Sequence, residues 1–185
     1  MKRQSIIIAT TAAIGTMILM ASTLTASAAT DASIVGRWQQ THKCQQLVDA
    51  LNELGLGVLA PGVVGDYFPD QTFDELAAKP DLCSGARPQK HSHFFTASGE
   101  FGSLDQKWNL VDDGTYTMVD NNTFKIGDAK FDYSIRGGLL SLTPRITERL
   151  REDALADPKA FTVAGWMVAV AYPGTTWKSV SCGWC

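Results

Sequence analysis

His91-Ser92-His93 is a His-x-His triplet. On an extended strand, residues two apart project from the same face. Both imidazoles would then stand side by side, with Phe95 next in line. Paired imidazoles on a strand can supply two ligands to zinc or copper. A metal or haem enzyme built on His91 and His93 needs a further ligand, and His42, Glu100 and Asp105 are the candidates. The simpler alternative is two histidines near a rim, bonded to backbone or solvent. Cys182-Gly183-Trp184-Cys185 has the C-x-x-C spacing of thiol oxidoreductases. Those enzymes place the first cysteine at a helix N-terminus, which lowers its pKa. No helix follows this motif, so a local bridge is the expectation. Hydrolytic machinery is not legible. Gly-x-Ser-x-Gly is absent, and the carboxylate pairs Asp112-Asp113 and Glu152-Asp153 are adjacent, so their side chains diverge. No glycine-rich phosphate loop stands between a strand and a helix.

Hairpins must position these residues. Ser33 to Gln40 reads as a first strand. Leu47, Val48, Leu51, Leu54 and Val58 then recur at helical spacing, with Thr41 as candidate cap and Gly55 and Gly57 as the stop. Thr72-Phe73-Asp74-Glu75 opens a second short helix with a capping box. From Lys90 the chain becomes a meander of strands at 90–97, 100–107, 115–119, 123–126, 130–136 and 139–143. Ser98-Gly99, Asn121-Asn122, Gly127-Asp128 and Gly137-Gly138 form its turns. Thr147 to Ala156 reads as a charged helix. Trp166 to Tyr172 is apolar on both faces and predicts a buried strand, and 175–181 predicts the last one. The sum is a mainly β chain of about eight antiparallel strands. The expectation is an up-and-down barrel with short helices after strand one and before the last strand pair. A β-sandwich shares the same turn spacing.

Composition places these elements outside the cytoplasm. Met1-Lys2-Arg3, the uncharged run Ile6–Leu24 and Ala26-Ser27-Ala28 have the three parts of a secretory signal peptide. The expected division is residues 1–28 as signal and 29–185 as one secreted domain with no membrane anchor after cleavage. Loss of Lys2 and Arg3 takes the formal charge from −3 to −5. An acidic domain without a basic stripe is not a nucleic-acid binder. All four cysteines follow the leader, and an even count in an oxidising compartment predicts two disulfides. Cys44–Cys83 with Cys182–Cys185 is the favoured pairing. The rival ties an early cysteine to the C-terminal tail.

Gly36-Arg37-Trp38 resembles the G-x-W motif of the lipocalin (calycin) superfamily, and the meander from His91 to Thr143 resembles small secreted bacterial lipocalin-like domains. The family's second motif is reduced to Asp113-Gly114-Thr115-Tyr116, and the helical insertions depart from its element order. The resemblance implies that Trp38 plugs the closed end, with a basic side chain of the last strand over its ring. Lys178 is the candidate. It also implies a barrel holding a small apolar molecule, with His91, His93, Phe95, Tyr116, Met118 and Tyr133 as ligand-binding residues and the His and Tyr groups near the mouth. No cofactor is expected, and the protein is expected to be a monomer. A secreted interaction domain without a small ligand is the third reading.

Overall fold

Two-residue turns at 121–122, 127–128 and 137–138 are too short for anything but antiparallel neighbours. The structure, a computed structural model, describes residues 33–160 and 162–181. Its strands are β1 (Gly36–His42), β2 (Gln89–Phe95), β3 (Glu100–Leu104), β4 (Leu110–Asp120), β5 (Thr123–Ile126), β6 (Ala129–Arg136), β7 (Leu139–Pro144) and β8 (Trp177–Val180). They follow one another in order and close into an eight-stranded, all-antiparallel barrel. β1 is the closing strand. It pairs with β2 from Gly36–Phe95 to His42–Gln89, and with β8 from Arg37–Val180 to Gln39–Lys178. Closure removes the unpaired edges an open meander would leave. The expected signal segment, residues 1–28, and the expected Cys182–Cys185 bridge lie outside the described residues.

The helices are α1 (Cys44–Glu53), α2 (Ala60–Val63) and α3 (Phe73–Ala77) between β1 and β2, then α4 (Glu148–Ala156) and α5 (Val163–Ala171) between β7 and β8. In an up-and-down barrel every connection after an odd-numbered strand leaves from the same end. All five helices therefore belong to one end, the helical end, and the turns at 96–99, 121–122 and 137–138 to the far end. A Cys44–Cys83 disulfide, with Cα atoms 5.6 Å apart, ties the start of α1 to the segment leading into β2. Thr72 caps α3, and its capping box with Glu75 is formed as the spacing predicts.

The strand expected over Trp166–Tyr172 is helix α5. Thr162 caps it, its hydroxyl accepting from Gly165 N at 3.2 Å, and Tyr172 ends it in a left-handed conformation. Ala164, Gly165, Met167, Val168, Val170 and Ala171 are all buried. Its partly exposed side carries Val163, Trp166 and Ala169, which are apolar too, so the helix has no polar face and periodicity no longer tells it from a buried strand. The first helix also starts later than expected. Its cap position is Lys43, and Thr41 remains in β1.

Aromatic rings fill the barrel. Phe95 lies opposite Phe101 across β2–β3, and Phe124 opposite Phe131 across β5–β6. The ring centroids of these pairs are 5.3 and 5.2 Å apart, and Phe95–Tyr116 and Phe95–Phe124 are each 5.3 Å. All four phenylalanines are essentially inaccessible to solvent. Opposed aromatic pairs of this kind stabilise sheets beyond their buried area. On the outer face, Gly102 lets the Phe94 ring lie across β3. A Cβ at that position would come within 2.4 Å of the ring.

Candidate functional site: a buried histidine cluster

Alternation along β1 turns Trp38, Gln40 and His42 inward, and along β2 it turns His91, His93 and Phe95 inward. The register sets Gln40 opposite His91 and Trp38 opposite His93. His42 ends β1 and Gln89 begins β2, so the imidazoles gather at the helical end. His91 and His93 have ring centroids 4.9 Å apart, and His42 lies 5.7 Å from His91. Tyr172, at the end of α5, stacks on His42 at 4.2 Å. Trp177, at the start of β8, sits 4.3 Å from His93 and 6.0 Å from His91. The strands supply the histidines and Trp177, and the helical insertions supply the Tyr172 ring that stacks on His42.

His93 is held at both nitrogens. Its Nε2–H donates to the Val170 carbonyl of α5 at 2.8 Å, and the Ser103 hydroxyl donates to its Nδ1 at 2.9 Å. A carbonyl can only accept, so Nε2 carries a proton; with the ring kept neutral by burial, Nδ1 is bare and accepts from Ser103. His42 Nδ1 is hydrogen-bonded to the Tyr67 hydroxyl. Four atoms in this region differ: Gln40 Nε2, His42 Nε2, His91 Nε2 and Trp177 Nε1 are buried and have no hydrogen-bond partner among the described residues. Buried polar groups are normally paired, so four orphans in one place call for a partner beyond the described residues.

Burial also governs the charge. It lowers His42 to about 3, with the neighbouring His91 adding to the effect. His91 falls to about 4 through burial, opposed by Asp105. His93 lies well below the usual imidazole range, first through burial and then through His91. Burial pushes Asp66, Tyr67 and Tyr172 upward. At neutral pH the cluster is a set of neutral imidazoles and phenols able to donate or accept without carrying charge.

The residues expected to bind a ligand divide into two groups. His91 and His93 lie at the helical end. The Tyr116 hydroxyl donates to Thr96 O at 2.8 Å and the Tyr133 hydroxyl to Asn121 O at 2.9 Å. Both tyrosines thus secure far-end turns and are not at the mouth with the histidines. Phe95 is part of the aromatic filling. Met118 is 45% exposed, beside an irregularity in the β4–β5 register, and does not line the interior.

Gly36 and Trp38 occupy the far end of β1, and Trp38 Nε1 donates to Ile34 O at 2.7 Å. Lys178 does not cover Trp38. It is exposed and pairs with Gln39, on the opposite face of the strand, while Trp38 pairs with Ser179. The cation–π contact in this region is made outside the barrel, with the Arg37 guanidinium 4.1 Å from the Trp108 ring.

Of the three candidates for a further metal ligand, His42 reaches ring contact with His91, and Asp105 is near enough to act on its charge. Among the described residues no three His, Cys, Asp or Glu side chains are grouped closely enough to hold a metal ion. Gln40, Tyr67, Ser103, Tyr172 and Trp177 complete the cluster and were not singled out from sequence. Trp38, Gln40 and His42 alternate, and that period-2 pattern was a usable signal for the first of them.

The fold defines a closed eight-stranded antiparallel up-and-down barrel, compatible with a lipocalin-like protein. No protein-family model matches the chain, and no curated protein matches it.

Proposed function

We propose that this is an exported, lipocalin-like protein that binds a small molecule at the helical end of its barrel. The observation that carries the reading is the set of orphaned buried atoms on Gln40, His42, His91 and Trp177. Leaving one buried polar group unpaired costs about 1–3 kcal/mol. A bound molecule with several polar atoms would relieve that cost at four positions together. The aromatic filling replaces the open apolar calyx expected from sequence, so the proposed ligand is small and hydrogen-bonding. The leader-like N-terminus and the Cys44–Cys83 pair support an oxidising, extracellular setting.

A second reading, a secreted interaction domain without a small ligand, draws support from the exposed side chains of Trp108, on the β3–β4 connection, and of Leu110 and Val111, at the start of β4. Native mass spectrometry of the protein purified from its own culture medium separates the two. Ligand binding predicts an added mass that vanishes on denaturation. A bare chain mass favours the interaction domain.

A further inference from the structure

A molecule that meets the orphaned atoms has to pass a closed wall. Gln40 Nε2, His42 Nε2, His91 Nε2 and Trp177 Nε1 are all buried, so one of the elements covering them must move. Most of these elements are fastened. β1 and β2 pair from Gly36–Phe95 to His42–Gln89. The insertion that carries α1, α2 and α3 is closed by the Cys44–Cys83 disulfide, and Tyr67 within it is hydrogen-bonded to His42. Helix α5 is tied to the strands at two places. Trp166 Nε1 donates to Asp112 Oδ2 at 2.8 Å, and Val170 O accepts from His93.

The segment after α5 is held least. β8 meets β7 only at Leu139–Lys178 and Leu140–Trp177, and it meets β1 only from Arg37–Val180 to Gln39–Lys178. Between helix and strand, residues 173–176 form a turn at the helical end, with Gly174 and Thr176 exposed. Thr175 is bonded inside this turn. Its N–H donates to Tyr172 O at 3.1 Å, and its hydroxyl donates to the same oxygen at 2.5 Å. Gly174 has φ +79°, and nothing lies within 4 Å of the place a Cβ would take.

Tyr172 opens the turn and also covers the cluster. Its ring lies 4.2 Å from His42, 5.9 Å from His91 and 5.9 Å from Trp177, three of the residues with orphaned atoms. Its backbone sits at φ +43°, ψ +63°. That left-handed conformation is costly for a bulky L-residue and persists only where packing imposes it. Rotation about the Tyr172 N–Cα bond relieves it, and the same rotation carries the ring and the turn together relative to α5.

We infer that Tyr172 and the 173–176 turn form a hinged lid over the histidine cluster, whose opening at the helical end admits the small molecule to His42, His91 and Trp177. This rests on the small-molecule reading above and adds the route and the element that controls it.

The test is native-state hydrogen exchange, followed by NMR in increasing urea on protein unfolded and refolded to release any bound molecule. The probes are the Trp177 indole N–H, the Thr175 amide and the amides of the β5–β6 ladder. A lid makes the first two share one opening, at least about tenfold less protected than the β5–β6 amides and nearly independent of urea at low concentration. Gly174→Ala strains the closed turn without meeting a neighbour, so it should speed exchange at both lid probes about fivefold. The unchanged remainder of the spectrum would verify its fold. Trp177 exchanging only with the β5–β6 amides, and with their urea dependence, overturns the lid. So does a locally exchanging indole beside a Thr175 amide that exchanges only globally, since the opening then lies elsewhere. A copurifying mass together with global exchange at Trp177 would sink the lid alone. A bare mass together with global exchange would sink the parent reading as well.

Discussion

Acid should unfold this protein through its histidines before its carboxylates titrate. His42 and His91 stay neutral in the folded barrel down to about pH 3 and pH 4, respectively. In the unfolded chain both take up a proton near pH 6.5. Between these limits the unfolded state binds more protons, so stability is full above pH 6.5 and falls as pH drops. At about pH 4.5, some two units below the unfolded value, each group has cost between about 2 and 3 kcal/mol, or about 5 kcal/mol for the pair. That is comparable to the whole stability of many domains, roughly 5–15 kcal/mol.

Other groups shape this profile. His93 acts in the same direction. Asp66 opposes it, because its raised pKa makes the folded state take up a proton first. Asp132, Asp105 and Asp120, all lowered by hydrogen bonds, lose their contribution only below about pH 4, the unfolded range of Asp. Urea denaturation at neutral pH and at about pH 4.5 measures the difference, and a His42→Gln/His91→Gln variant should lose most of it. Equal stability at the two pH values in the native sequence would refute the burial of neutral imidazoles.

Three further perturbations probe the parts that hold the cluster. Ser103→Ala removes the donor to His93 Nδ1 and should cost about 1–3 kcal/mol in chemical denaturation, since the nitrogen is left buried and unpaired. Phe124→Ala takes out a fully buried ring stacked on Phe131 and should cost about 3–5 kcal/mol, read as a large fall in Tm. A Cys44→Ser/Cys83→Ser variant opens the link between the start of α1 and the segment before β2. It should lose about 2–4 kcal/mol, while reductant leaves that variant's Tm unchanged apart from any effect of the two C-terminal cysteines.

The barrel was legible because its information is local. Gly137-Gly138 and Gly127-Asp128 demand hairpins, and Lys130-Phe131-Asp132-Tyr133 alternates cleanly enough to settle which face is inside. The Cys44–Cys83 pairing was legible from count and position. Helix α5 was not, because apolar residues on every side erased its periodicity, although Thr162 stood in place as a cap. That miss hid most of the site. Val170 and Tyr172 reach His93 and His42 only from the helical insertion, at sequence separations that no local pattern carries. His91 and His93 were recognised as a same-face pair from spacing alone. His42 was a candidate ligand, but the first strand was ended at Gln40, two residues before it, so its place on the inward face with Gln40 was missed. Met118 shows the complementary error, since alternation with Tyr116 does not say where the barrel wall stops.

The central claim is that something other than the chain satisfies the buried atoms at the helical end. An atomic-resolution crystal structure of the protein purified from its own culture medium tests it most directly. The account predicts one continuous, non-water density within hydrogen-bond reach of Gln40 Nε2, His91 Nε2 and Trp177 Nε1. Isolated waters bridging those atoms would contradict it, as would side chains repacked so that each atom finds a partner in the chain.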